Sequence, residues 1–133
     1  HAHGIEIDPS LALPGPPDFD FGAAIVGKIL EWPDPPTAAF CYDDAVAIGV
    51  IQGLRERNLA AGRDLAVVGF DDIRQATITN PALTTISVDT GCWGGIVSRL
   101  LAGRILNRDA PPEKVVIAPR LVVRDSSRFA RRR

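Results

Sequence analysis

Histidine is confined to His1 and His3, and cysteine to Cys41 and Cys92, so no cluster of soft or imidazole ligands stands at metal-binding spacing. No Gly-x-Ser-x-Gly occurs, which leaves serine-hydrolase chemistry without a nucleophile turn. No glycine-rich loop opens a helix in the phosphate-loop or dinucleotide pattern. Apolar runs fall well short of the roughly 18 residues that a membrane-spanning helix needs, and the opening His1-Ala2-His3-Gly4 has none of the marks of a secretory leader. An excess of positive charge is missing too. Fifteen Lys and Arg against 16 Asp and Glu give a formal net charge of -1, which offers no general attraction to nucleic acid or to an anionic membrane. Only the tail, Arg128-Phe129-Ala130-Arg131-Arg132-Arg133, concentrates cations, and a basic run at a terminus reads as solvated chain without a function. The two thiols read as free and buried in a reducing compartment, with a single bridge between them as the alternative, and the protein reads as cytosolic, with no cofactor and no catalytic residues.

What is present is a pair of apolar runs that each stop at two carboxylates. Residues 65–72, Leu-Ala-Val-Val-Gly-Phe-Asp-Asp, have the β-branched centre of a strand buried on both faces of a parallel sheet. Residues 37–42, Thr-Ala-Ala-Phe-Cys-Tyr, repeat the design and meet Asp43 and Asp44. Ligands of such sheets bind beyond the carboxyl ends of the strands, so Asp71, Asp72, Asp43 and Asp44 line a candidate site.

In chain order, residues 1–17 are connecting chain rich in proline and glycine, with at most one short strand. Helical spacing of Phe21, Ala24, Ile25, Ile29 and Leu30 predicts a helix over 20–31, stopped by Pro33. A second helix follows Asp43-Asp44, with Ala47, Ile48, Ile51 and Leu54 on one face. Either aspartate is a natural N-cap for it, a role that competes with ligand contact. The central strand spans 65–70, a further strand 83–88, a helix 90–107, and two short β-rich pieces 113–117 and 120–123. Trp93, Ile96, Val97, Leu100, Leu101 and Ile105 share a face of that last helix, and Trp93 reads as core. The 133 residues fit one domain or part of one, and the order of elements signals an α/β fold, a mainly parallel sheet flanked by helices.

Clustered strand-end aspartates admit three chemistries. They suit a magnesium ion in phosphotransfer, with Asp43, Asp44, Asp71 and Asp72 as oxygen ligands. They suit an acid and base pair for glycoside hydrolysis. They also suit plain acceptance of hydrogen bonds from the hydroxyls of a bound sugar. The missing phosphate loops, histidines and nucleophile favour the third, and place enzyme behind binding protein.

Residues 36–49 (Pro-Thr-Ala-Ala-Phe-Cys-Tyr-Asp-Asp-Ala-Val-Ala-Ile-Gly), 65–72, 80–86 (Asn-Pro-Ala-Leu-Thr-Thr-Ile) and 119–127 (Pro-Arg-Leu-Val-Val-Arg-Asp-Ser-Ser) follow one another as in the LacI/GalR family. The chain resembles the C-terminal part of the effector-binding region of these bacterial regulators. The resemblance implies a periplasmic binding protein-like type I, Rossmann-like fold with an incomplete second lobe, residues 1–133 lacking the DNA-binding module and most of the first lobe. It implies a small sugar or polyol effector that modulates operator binding through that absent module, a homodimer or larger assembly, and no membrane partner. Asp71 matches an effector-contacting aspartate. Asp43 stands where the family has asparagine, and so offers only acceptors and favours a donor-rich ligand. Asp44 matches the aspartate that follows, and Phe19 loosely fits an aromatic that stacks on sugar. A transport-type sugar-binding protein is the alternative reading.

Overall fold

The computed structural model describes residues 4, 6 and 8–128. The apolar Ile5 and Ile7 and the tail from Phe129 lie outside them. After a 3-10 turn at Pro9–Leu11, the elements run α1 (Phe19–Leu30), β1 (Ala38–Phe40), α2 (Asp44–Glu56), β2 (Ala66–Asp71), α3 (Arg74–Ile78), β3 (Thr84–Ser87), α4 (Thr90–Leu106) and β4 (Arg120–Val122), with a second 3-10 turn at Asp125–Ser127. This is an α/β fold. The strands lie in the order β1-β2-β3-β4, with β1, β2 and β3 mutually parallel and β4 antiparallel to β3.

Both long helices on the core begin where an aspartate satisfies a first-turn amide. Asp18 accepts from the Phe21 N–H at 2.7 Å, and Asp43 accepts from the Val46 N–H at 2.8 Å. The two helices then approach backbone to backbone. A Cβ on Gly22 would overlap the Val46 carbonyl oxygen, and one on Gly49 would overlap the Phe19 carbonyl oxygen. Glycine is required there by space. Val26, Val50, Leu54, Val67 and Leu83 are the large apolar side chains sealed in the core.

Gly69 shows which sheet face carries the helices, because a Cβ there would run into Asp44 and the Ala47 methyl of α2. The other face is open. Phe40 is 66% exposed and Leu121 58%, whereas the apolar runs predict cover on both sides. The base of the sheet is closed by Ser126, whose hydroxyl donates to the Val67 carbonyl at 2.6 Å and accepts from the Thr84 N–H at 2.8 Å.

Three expectations are corrected. Residues 113–117 form no strand: their composition tolerates one, but none of the four strands of the sheet pairs with them. Cys92 is exposed, not buried. Trp93 is 48% exposed rather than core, as the apolar face of α4 finds no cover: Val97, Leu101 and Ile105 are all exposed, and no described residue of the helix is buried. Among the described residues, no helix is long and apolar enough to cross a membrane.

Candidate functional site

The parallel strands β2 and β3 end at Asp71 and Ser87, and β4 enters the sheet at Arg120. Asp71 is the register partner of Ser87, and Ser87 that of Arg120. Register partners project on one face, so a carboxylate, a hydroxyl and a guanidinium form a row across three strands. All three line a cavity of about 510 Å³, together with Asp72, Asp89, Val88 and Ala118. Its lining is predominantly polar. A larger cavity of about 750 Å³ beside β1 is lined mostly by apolar groups, Leu13, Phe21, Trp32 and Phe40 among them, and by no charged side chain, so it offers no charge to orient a ligand.

The turn that presents Asp71 is unusual. Asp71 and Asp72 have φ of 108° and 57°, conformations that non-glycine residues adopt only when their surroundings hold them. Those surroundings are identifiable. Asp44 is fully buried; its Oδ1 accepts from the Thr85 hydroxyl at 2.6 Å, and its Oδ2 from the Ile73 N–H at 2.9 Å. Thr85 Oγ1 accepts in turn from the Asp72 N–H at 3.3 Å. Arg124 donates to Asp72 Oδ1 at 2.6 Å and to the Leu83 carbonyl at 2.8 Å. The strain of the turn is thus distributed over α2, β3 and the segment after β4.

Burial pushes the Asp44 carboxyl above the ordinary aspartate value of 3.8; the bonds from Thr85 and Ile73 pull it back, and the charges of Asp71 and Asp72 raise it again. Burial, reinforced by Asp43 and Asp44, also pushes the Cys41 thiol up to about 12.

The four residues expected to meet a ligand are therefore separated in role. Asp71 is exposed and lines the polar cavity. Asp43 caps α2, Asp44 faces the interior, and Phe19, at the first turn of α1, lines neither cavity. Among the described residues, no group of three or more His, Cys, Asp or Glu side chains is placed to hold a metal ion. Ser87, Arg120, Thr85 and Arg124 were not singled out by the sequence. Their roles arise from strand register, which no local pattern reveals.

The family of periplasmic binding protein-like domains matches residues 1–127. The HTH-type transcriptional repressor PurR of Escherichia coli O139:H28 is 32% identical over 122 residues, 92% of this chain and 36% of the repressor. The chain thus spans about a third of the length of the curated relatives it matches. Among solved structures, a transcriptional regulator CelR in complex with cellobiose superposes with a TM-score of 0.83 at 30% identity, over 94% of this chain and 38% of that one. A LacI family transcriptional regulator from Enterococcus faecium with bound ribose superposes with a TM-score of 0.80 at 27% identity, over 86% and 42%. With a mainly parallel sheet, an acidic strand end at its carboxyl edge and these likenesses together, the chain belongs to the periplasmic binding protein-like domain family, as a part of the effector-binding region of a LacI-type regulator.

Proposed function

We propose that this chain is the effector-sensing and dimerisation portion of a cytoplasmic transcriptional regulator, and that its effector is a small sugar or polyol held through Asp71. The observation that carries the reading is the placement of an exposed carboxylate, without an ion-pair partner among the described residues, at the end of the central strand, on a turn that buried and part-buried hydrogen bonds hold in shape. A carboxylate accepts from sugar hydroxyls more strongly than a neutral oxygen does, and a pre-set turn spares the ordering cost of binding. The two structural neighbours that carry cellobiose and ribose support a sugar as the ligand class. In a protein that joins this domain to a DNA-reading module, an effector that prefers one lobe arrangement shifts the population toward it, and operator affinity follows by linkage.

Calorimetry with cellobiose, ribose and related neutral sugars tests the reading. Asp71→Asn should weaken binding by about 1.5–3 kcal/mol, the scale of a hydrogen bond to a charged group. Unchanged affinity in a folded variant would overturn it.

A further inference from the structure

Within the polar cavity two of the four charged side chains are already engaged. Asp72 is paired with Arg124, and Asp89 Oδ1 caps α4 by accepting from the Cys92 N–H at 3.1 Å. Two charged groups are left, one of each sign. Neither Asp71 nor the Arg120 guanidinium makes an ion pair or side-chain hydrogen bond among the described residues. They do not neutralise each other, because Ser87 stands between them in the row. Two strand spacings separate their backbones, about 10 Å.

A cavity with a lone acceptor at one end and a lone guanidinium at the other is complementary to a ligand of matching polarity. Hydroxyl donors suit the Asp71 end. The Arg120 end suits a planar anion, because guanidinium grips a carboxylate through two parallel N–H donors, which a single hydroxyl oxygen cannot engage together. We infer that Arg120 determines specificity at this site, and that it selects sugar acids, polyhydroxy compounds bearing a carboxylate, over the corresponding neutral sugars. The inference rests on the sugar-binding reading of Asp71 and narrows it. A monosaccharide whose exocyclic carbon is a carboxylate carries both kinds of group, hydroxyl donors for Asp71 and a planar anion for Arg120, and Ser87 lines the same cavity between them in the row. A neutral occupant would offer the Arg120 charge only hydroxyl acceptors in exchange for its water, a weaker return than a carboxylate gives.

The test is a titration of the 133-residue chain with matched pairs, glucuronate against glucose and galacturonate against galactose, followed by two-dimensional NMR. The uronate of at least one pair is expected to bind about tenfold or more tightly than its neutral partner, with amide shifts centred on Asp71, Ser87 and Arg120 and an affinity that falls as salt rises. Arg120→Gln should erase the preference and the salt dependence by weakening the uronate far more than its neutral partner. Asp71→Asn should weaken both members of a pair alike. Equal affinity within both pairs, unaltered by Arg120→Gln, would overturn the role of Arg120 and leave the sugar-binding reading standing. Shifts confined to residues away from this row, or no shifts with any of the four compounds, would overturn the sugar-binding reading itself and the inference with it.

Discussion

Asp44 and Thr85 stand 41 residues apart in sequence and share a buried hydrogen bond of 2.6 Å. Through it the start of α2 is tied to the middle of β3, and the other oxygen of Asp44 reaches the turn that carries Asp71. Asp44 therefore acts on the site without touching the cavity.

Asp44→Ala should destabilise the fold by about 1–3 kcal/mol for the buried Thr85 hydroxyl that it orphans, and by less for the part-buried Ile73 amide. Asp44→Asn retains the shape and gives the pH test. Because burial raises the folded-state value above that of the unfolded chain, Asp44 favours the native state most below 3.8, and that contribution is lost as pH rises through the raised value. Urea unfolding of wild type and Asp44→Asn from about pH 3 to about pH 7 should show wild type losing ground relative to the variant with rising pH. A constant difference across the range would exclude a titrating buried carboxylate.

The α1–α2 contact predicts opposite outcomes for two glycines. Gly49→Ala forces a methyl into the Phe19 carbonyl and should cost about 1–3 kcal/mol, the usual scale of overpacking. Gly103→Ala in α4 meets nothing within 4 Å and should favour the helix by roughly 0.5–1 kcal/mol. Thermal unfolding distinguishes them, since one midpoint should fall while helicity rises in the other.

The thiols should differ sharply in reactivity. Cys92 is exposed and Cys41 buried, with the Cys41 thiol held up to about 12, so little of it is thiolate near neutral pH. An aromatic disulfide reagent should titrate one thiol in the native protein and the second only after unfolding. Rapid reaction of both under native conditions would show that β1 and α2 part readily.

The bare face of α4 should be met by a second copy of the chain, which presents the same apolar helix. Sedimentation at low micromolar concentration is expected to show a dimer, burying well over about 1,000 Å². Leu101→Asp should shift it toward monomer. A single monomeric species for wild type would refute the association.

Much of the architecture was legible because two signals were strong. Helical spacing ended by Pro33 gave α1 to within a residue of its bounds, and the apolar run before Asp71 gave β2 as the central strand. The run at 113–117 misled because β-branched composition reports what a strand tolerates and says nothing of a free neighbour to pair with. At the site, the sequence placed Asp71 at a strand end but left Asp43 and Asp44 balanced between cap and ligand. Asp43 takes the cap through the Val46 amide, while Asp44 is drawn inward by Thr85 and Ile73, partners from distant parts of the chain. Arg120 escaped notice for the same reason, since its relation to Asp71 exists only once β2, β3 and β4 are side by side.

Ser126 gives the fold an order in time. The hydrogen-bonded ladder between β2 and β3 begins at Val68 and Thr84, and the rung beneath it is made by a serine that follows Thr84 by 42 residues. At the pace of a ribosome, roughly 5–20 residues per second, that rung arrives some seconds after both strands have been synthesised. Until then the Val67 carbonyl and the Thr84 amide have no serine to join them, and the nascent sheet is a hinge without its pin. In the order of synthesis, the residue that closes the base of the sheet comes after the strands it joins.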